Sequence, residues 1–200
     1  YLYKRQILLT ILIVGCGVVN VNAAKKKKTE TTAEPEYHAG VLYECKGSVK
    51  EFNLTTDNPL ARQKRVKFTK DGKQKMSILD YDEAGYPNGC DASMGQKRMV
   101  VKIDYDSINQ PVKFLIDTTV GTDLNVTVTQ TFTNGVMTAS DWYSNESGRH
   151  LIHSDYTDHH FDDHGNWVTR TATNTTFAET PDGLNPETKT YTEERTILYY

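Results

Sequence analysis

The chain has 200 residues, 37% hydrophobic and 24% charged, a balance that fits one soluble globular domain rather than two. With 26 Asp and Glu against 23 Lys and Arg its formal charge is -3, which leaves no broad basic face for nucleic acid. Tyr is abundant at 12 residues and Thr crowds the second half, so the composition favours half-buried strands and excludes a mainly helical chain.

Residues 1–23 read as an export leader. Lys4 and Arg5 supply a positive start, an apolar run over 7–14 is broken only by Thr10, and Val21-Asn22-Ala23 offers a small-residue cleavage site. The apolar run is short for a bilayer span. A second reading uses the same residues: Ile13-Val14-Gly15-Cys16 resembles a bacterial lipobox, in which Cys16 is lipidated and becomes the first residue. Either reading implies export, to the periplasm, the cell surface or the medium. A lipid anchor would then be the chain's contact with membrane.

Residues 24–40 form a Lys-, Thr- and Glu-rich stretch that reads as a disordered tether. Its four lysines at 25–28 are a solvated spacer, or else an electrostatic contact with anionic envelope surfaces. Once Cys16 is removed or lipidated, Cys45 and Cys90 remain. In an oxidising compartment they are candidates for a disulfide, although spacing alone does not bring them within bridging distance. Neither has a second Cys at chelating spacing.

From residue 41 to 200 one local pattern recurs: an extended stretch with an aromatic, a polar residue, then Gly or Asn-Gly. Tyr43-Glu44-Cys45-Lys46-Gly47-Ser48-Val49 reads as a degenerate first copy, and Asp71-Gly72 follows Val66-Lys67-Phe68-Thr69-Lys70. Tyr81-Asp82-Glu83-Ala84-Gly85-Tyr86 and Phe161-Asp162-Asp163-His164-Gly165-Asn166-Trp167 share the form aromatic-Asp-x-x-Gly. Tyr105-Asp106-Ser107-Ile108-Asn109-Gln110 carries Asn109 at the Gly position. Val126-Thr127-Val128-Thr129-Gln130-Thr131-Phe132-Thr133 alternates with period two and ends at Asn134-Gly135. Both turn residues tolerate the positive φ of a type I′ turn, so this is the strongest hairpin signal in the chain. The expected fold is all-β, a curved antiparallel meander of tandem hairpins, open or partly closed.

The aromatic-Asp-x-x-Gly unit resembles the YD/RHS-type hairpin repeats of bacterial exported proteins. Phe161-Asp162-Asp163-His164-Gly165-Asn166-Trp167-Val168-Thr169-Arg170, with Glu194-Arg195-Thr196-Ile197-Leu198-Tyr199-Tyr200, is similar to the ends of small envelope proteins of Bacteroidota. The resemblance implies an open, curved antiparallel sheet and carries no established activity. The chain departs from RHS toxins in that its units form no long regular array, and no C-terminal effector domain is expected.

Five of the six histidines fall between Arg149 and His164. Regular alternation would place His153, Asp155 and His159 on one face, and His150, Asp158 and His160 on the other. Imidazole and carboxylate suit Zn²⁺, Ni²⁺ or Cu²⁺. Residues two apart on a strand lie about 7 Å from each other, so a site on His153, Asp155 and His159 needs help from a neighbouring strand. The competing reading is a solvated polar hairpin. Trp142, Tyr143 and Trp167 suit a sugar-binding platform, or equally a β-sheet core. Arg170 is expected to pair with Glu193 or Glu194 across strands.

No nucleophile elbow, zinc-protease helix or phosphate loop occurs, and adjacent Glu193-Glu194 point to opposite faces of a strand. No catalytic residue and no cofactor is therefore expected. The leading functional expectation is an exported binding scaffold whose partner is an envelope component, a glycan or a protein. The alternatives are a metal-dependent hydrolase built on the His/Asp segment and a small porin-like barrel. Lys64, Arg65, Lys67, Lys70, Lys73 and Lys75 on one hairpin oppose the barrel, since charge facing lipid is costly.

Overall fold

The computed structural model describes residues 36–61, 64–94, 97–118, 125–180 and 183–200. The leader, Cys16 and the lysines at 25–28 lie outside the described residues.

Eleven strands form one antiparallel sheet: β1 (Val49–Thr55), β2 (Arg65–Lys67), β3 (Asp80–Tyr81), β4 (Pro87–Met94), β5 (Lys97–Tyr105), β6 (Pro111–Thr118), β7 (Val126–Thr133), β8 (Val136–Ser144), β9 (His150–Phe161), β10 (Trp167–Thr180) and β11 (Gly183–Tyr199). From β3 to β11 each strand pairs with the next. β1 returns to pair with β11, and β2 lies outside β1. The only helical element among the described residues is a 3₁₀ turn at Ala39–Tyr43. The expected curved, open meander is therefore what forms. Because β2 and β3 are both edges, the sheet is not closed into a barrel. Side-chain direction is also opposite to a porin's: Ile103, Phe114, Val128 and Trp142 are buried inside, while Lys102, Asp104 and Lys113 are exposed.

The hairpins turn where local chemistry dictates. Asn134 and Gly135 have φ of 53° and 78° between paired Thr133 and Val136, as a type I′ turn requires. The three longer loops share one bonding scheme. In each, the Asp carboxylate accepts two backbone N–H groups: Ala84 and Tyr86 on Asp82, Ile108 and Gln110 on Asp106, His164 and Asn166 on Asp162. The residue needing positive φ is Gly85, Asn109 or Gly165, so Asn109 does take the glycine position.

A single curved sheet has an inner face that something must cover. Here the cover is the chain's own segment 36–46 together with the β1–β2 loop. Ala39 is fully buried, and Leu42 and Leu60 pack against Ile103, Phe114, Val126, Val128, Trp142 and Ile152. Tyr43 sits on Phe52 and Phe68, with ring centroids 5.4 and 6.1 Å away. This strap also bridges the seam between the edges. Tyr37 N donates to Asp71 O at 2.7 Å on the β2 side, and His38 N donates to Gly85 O at 2.9 Å on the β3 side.

Two expectations change as a result. Residues 36–40, read as the end of the tether, belong to the folded body. Residues 43–49 are not a hairpin copy: Glu44, at φ 54°, ends the 3₁₀ turn, and the chain passes beneath the sheet before β1 begins.

The seam rests on two turn glycines. A Cβ at Gly72 would lie 1.9 Å from Tyr37 O, and one at Gly85 would lie 2.1 Å from Glu36 O. Gly148 also has positive φ, but a Cβ there meets nothing within 4 Å. Gly148→Ala should cost only the left-handed conformation, about 1–2 kcal/mol. Gly72→Ala and Gly85→Ala should each cost more, about 3 kcal/mol or above, because the strap must also move. Urea unfolding of the three variants checks this, and equal losses would mean that the strap is not clamped.

Candidate functional site

Between the strap and strands β7–β11 lies a cleft of about 80 Å³, walled by Leu42, Leu60, Phe132, Met137 and Trp142. Its floor is charged. Arg170 and Glu193 are opposed in the β10–β11 register, and both are buried. Arg170 Nε donates to Glu193 Oε2 at 2.8 Å, and Nη1 donates to Glu44 Oε2 at 2.8 Å. The guanidinium is held between the Tyr156 and Trp167 rings, 4.0 Å from each centroid. Burial alone would lower the Arg170 pKa, but Glu44 and Glu193 outweigh it and hold the group above the ordinary arginine value. The pairing expected for Arg170 is thus made with Glu193, and a second carboxylate joins it from the strap.

Glu44 does more than pair. Its Oε1 accepts Met137 N at 2.9 Å, and its Oε2 also accepts Trp167 Nε1 at 3.0 Å. Glu193 Oε1 accepts Asn58 Nδ2 at 2.8 Å, and Asn58 Oδ1 accepts Asn174 Nδ2 at 2.8 Å, which ties the β1–β2 loop into the same network. Arg195 lies 3.6 Å over Trp167 and donates to Trp167 O at 2.9 Å and Tyr43 O at 2.6 Å. Burial lowers its pKa, against the opposing pull of Cys45 and Glu44. Its Nη2 is buried without a hydrogen-bond partner among the described residues. None of this involving Glu44 was foreseen from sequence. The available signal was a lone carboxylate between Tyr43 and Cys45 in a stretch that then becomes buried.

The opposite face of β8, β9 and β10 carries the histidines, but not in the expected grouping. A bulge shifts the β8–β9 register between Trp142 and Tyr143, because Leu151 and Ile152 both pack inward. His150 and His153 therefore share the outer face instead of opposing each other. His153 Nδ1 is 2.8 Å from Asp141 Oδ1, His150 Nε2 is 2.9 Å from the same oxygen, and His153 Nε2 is 3.1 Å from Asp155 Oδ1. The Asp141 hydrogen bond raises the His153 pKa, against a smaller lowering by burial. A second slip, at Asp158 with φ 53°, turns His159 to the inner side. There burial and then Arg170 lower its pKa. His159 thus drops out of the expected set with His153 and Asp155, and Asp141 of the neighbouring strand enters.

Trp142 and Trp167 are buried and form no exposed sugar platform; Tyr143 is half-buried and stacks on His150 at 4.8 Å. Cys45 and Cys90 form no disulfide. Cys45 lies under β11, 3.9 Å from Arg195 Nη1, whereas Cys90 sits in β4 opposite Val101. Asp162 is taken up by the two loop N–H groups and by the Tyr199 hydroxyl. Comparisons with protein-family models, curated proteins and solved structures find no match for the chain.

Glu44→Ala should destabilise the protein by about 3–5 kcal/mol, the usual cost of removing one partner from a buried ionic pair. Glu44→Gln should lose less, since it keeps an acceptor for Met137 N. Urea denaturation distinguishes these from a surface-like loss below about 1 kcal/mol, which would show that the network is not buried in solution. A separate check uses Cys45, whose thiol is pushed up to about 12 by burial. At pH 8 it remains a thiol, so the native protein should resist iodoacetamide at Cys45 and react only on unfolding.

Proposed function

We propose that the protein is an exported cell-envelope or secreted scaffold that binds a ligand in the cleft beneath its strap. The observation that carries this reading is the make-up of the cleft: apolar side chains on a rigid sheet around a floor where Glu44, Arg170, Glu193 and Arg195 meet. Polar groups held in fixed positions among apolar walls are the common pattern of small-molecule sites. A space of about 80 Å³ exceeds the roughly 10–15 Å³ that one water needs. It suits an end group of a larger envelope molecule, with a carbonyl, carboxylate or sugar hydroxyl turned to the charged floor. The export leader, the tether and the resemblance to envelope hairpin-repeat proteins support the location.

A metal-dependent hydrolase is the second reading, favoured by the convergence of Asp141, His150 and His153. The binding scaffold is preferred because the enclosing concavity lies on the other face.

The chain's two Trp residues, Trp142 and Trp167, both line the cleft, so intrinsic fluorescence reports on its contents. Titration of the purified protein with separated lipid, glycan and peptide fractions of an envelope extract should give a saturable emission change with one fraction. No change with any of them would remove the cleft reading. Recovery of the expressed protein in the cytoplasmic fraction with its leader intact would remove the export reading.

A further inference from the structure

We propose that Asp141, His150 and His153 form a binding site for a divalent transition-metal ion on the outer face, with Asp155 orienting His153. The three donor atoms are Asp141 Oδ1, His150 Nε2 and His153 Nδ1, all within 4.8 Å of one another. Both imidazole nitrogens approach the same oxygen, at 2.9 and 2.8 Å. A tetrahedral ion with bonds of about 2.0–2.1 Å holds its ligands about 3.3 Å apart, so to seat a metal the two oxygen–nitrogen separations open by about half an ångström and the two imidazole nitrogens, within 4.8 Å of each other, adjust to the same spacing.

Hydrogen bonding accounts for one of these nitrogens and not the other. His153 Nδ1 makes a hydrogen bond to Asp141. His150 Nε2 lies at hydrogen-bond distance from the same oxygen, yet off the line of donation. It is buried and has no hydrogen-bond partner among the described residues. A buried polar atom in that condition calls for a partner, and a cation beside Asp141 Oδ1 supplies one.

The surroundings are those of a metal ligand set. His153 turns its second nitrogen, Nε2, to the Asp155 carboxylate at 3.1 Å, the carboxylate–histidine pairing that fixes the tautomer and raises ligand basicity. The His150 ring is clamped between Tyr143, at 4.8 Å and 20°, and Phe177, at 4.6 Å and 32°. Asp141 and His153 are directly opposed in the β8–β9 register, and the Leu151 bulge places His150 beside them. The donors come from two adjacent strands, Asp141 from β8 and His150 and His153 from β9, rather than from loops.

Two nitrogens and one carboxylate oxygen match Zn²⁺, Co²⁺, Ni²⁺ or Cu²⁺ better than Ca²⁺ or Mg²⁺, which take oxygen ligands in greater number. Three protein ligands leave at least one position for water or for a donor from another molecule. This site does not depend on the cleft reading, since it lies on the other face.

The test is titration of the chelator-stripped full chain with Co²⁺, read by visible d–d absorption, followed by Zn²⁺ competition. One Co²⁺ per chain with a tetrahedral or five-coordinate spectrum, displaced by Zn²⁺, is expected. His150→Ala, His153→Ala and Asp141→Ala should each weaken binding by at least 100-fold. Asp155→Asn should weaken it 10–100-fold while keeping the stoichiometry. His159→Ala and His160→Ala should bind as wild type. Circular dichroism establishes that each variant is folded. If His150→Ala does not fold, His150→Gln takes its place. Wild-type protein that takes up no stoichiometric Co²⁺, or His159→Ala that loses binding as fully as His153→Ala, would overturn the assignment.

Discussion

The structure depends on how a one-layer sheet covers its inner face without a helix. Arg170, Glu193 and Glu44 come from β10, β11 and the strap, so their union clasps three separated parts of the chain at one point. Arg195 adds a second cation against Glu44, which gives two positive and two negative groups in the same interior. A guanidinium buried alone would cost several kcal/mol; two carboxylates and two flanking rings make its burial tolerable. Apolar packing of Leu42 and Tyr43 alone would let the strap slide by a residue at small cost. A slip would move Glu44 away from Arg170, the Trp167 indole and the Met137 amide together. Register is thus what the ionic clasp contributes beyond burial, and the shape of the cleft follows from it.

The same priority of the core explains the outer face. Alternation along β9 is interrupted twice, and each interruption serves an inward-facing residue. Leu151 and Ile152 are adjacent and both apolar, so strict pleating would expose one of them; the bulge buries Ile152 and turns Leu151, partly buried, to the same side. At Asp158 the left-handed residue returns Tyr156 and His159 to one side. The histidines are passengers of these shifts. His150 joins His153 because Leu151 turned inward, not because their spacing favours a common face.

What was legible in the sequence was what is local. Asp82, Asp106 and Asp162 each bond to amides two and four residues on, so a short window contains the whole interaction. Asn109 is readable as a glycine substitute for the same reason. The Arg170–Glu193 pair is readable through the hairpin that sets it. Contacts spanning the whole chain were not legible: Glu44 meets Arg170 across 126 positions, and Lys46 meets Asn166 across 120. The separation of Cys45 and Cys90 belongs to the same class, since only strand order decides it. The His153 grouping failed differently. Period-two counting assumes no bulge, and Leu151-Ile152 was the warning that the count would slip there.

The two faces of β8, β9 and β10 are therefore mechanically linked although their chemistry is separate. On the inside, the clasp holds Met137 of β8, Trp167 and Arg170 of β10, and Glu193 of β11 to one strap carboxylate and its neighbours. These strands cannot splay without breaking charged bonds away from water, where such bonds are strongest. On the outside, Asp141 stands on β8, and His153 opposite it on β9, the strand between the held β8 and β10. An ion coordinated there needs its donors fixed to within about half an ångström, which a twisting sheet alone would not supply. Stiffness made by burying charge on one face is thus delivered as ligand geometry on the other.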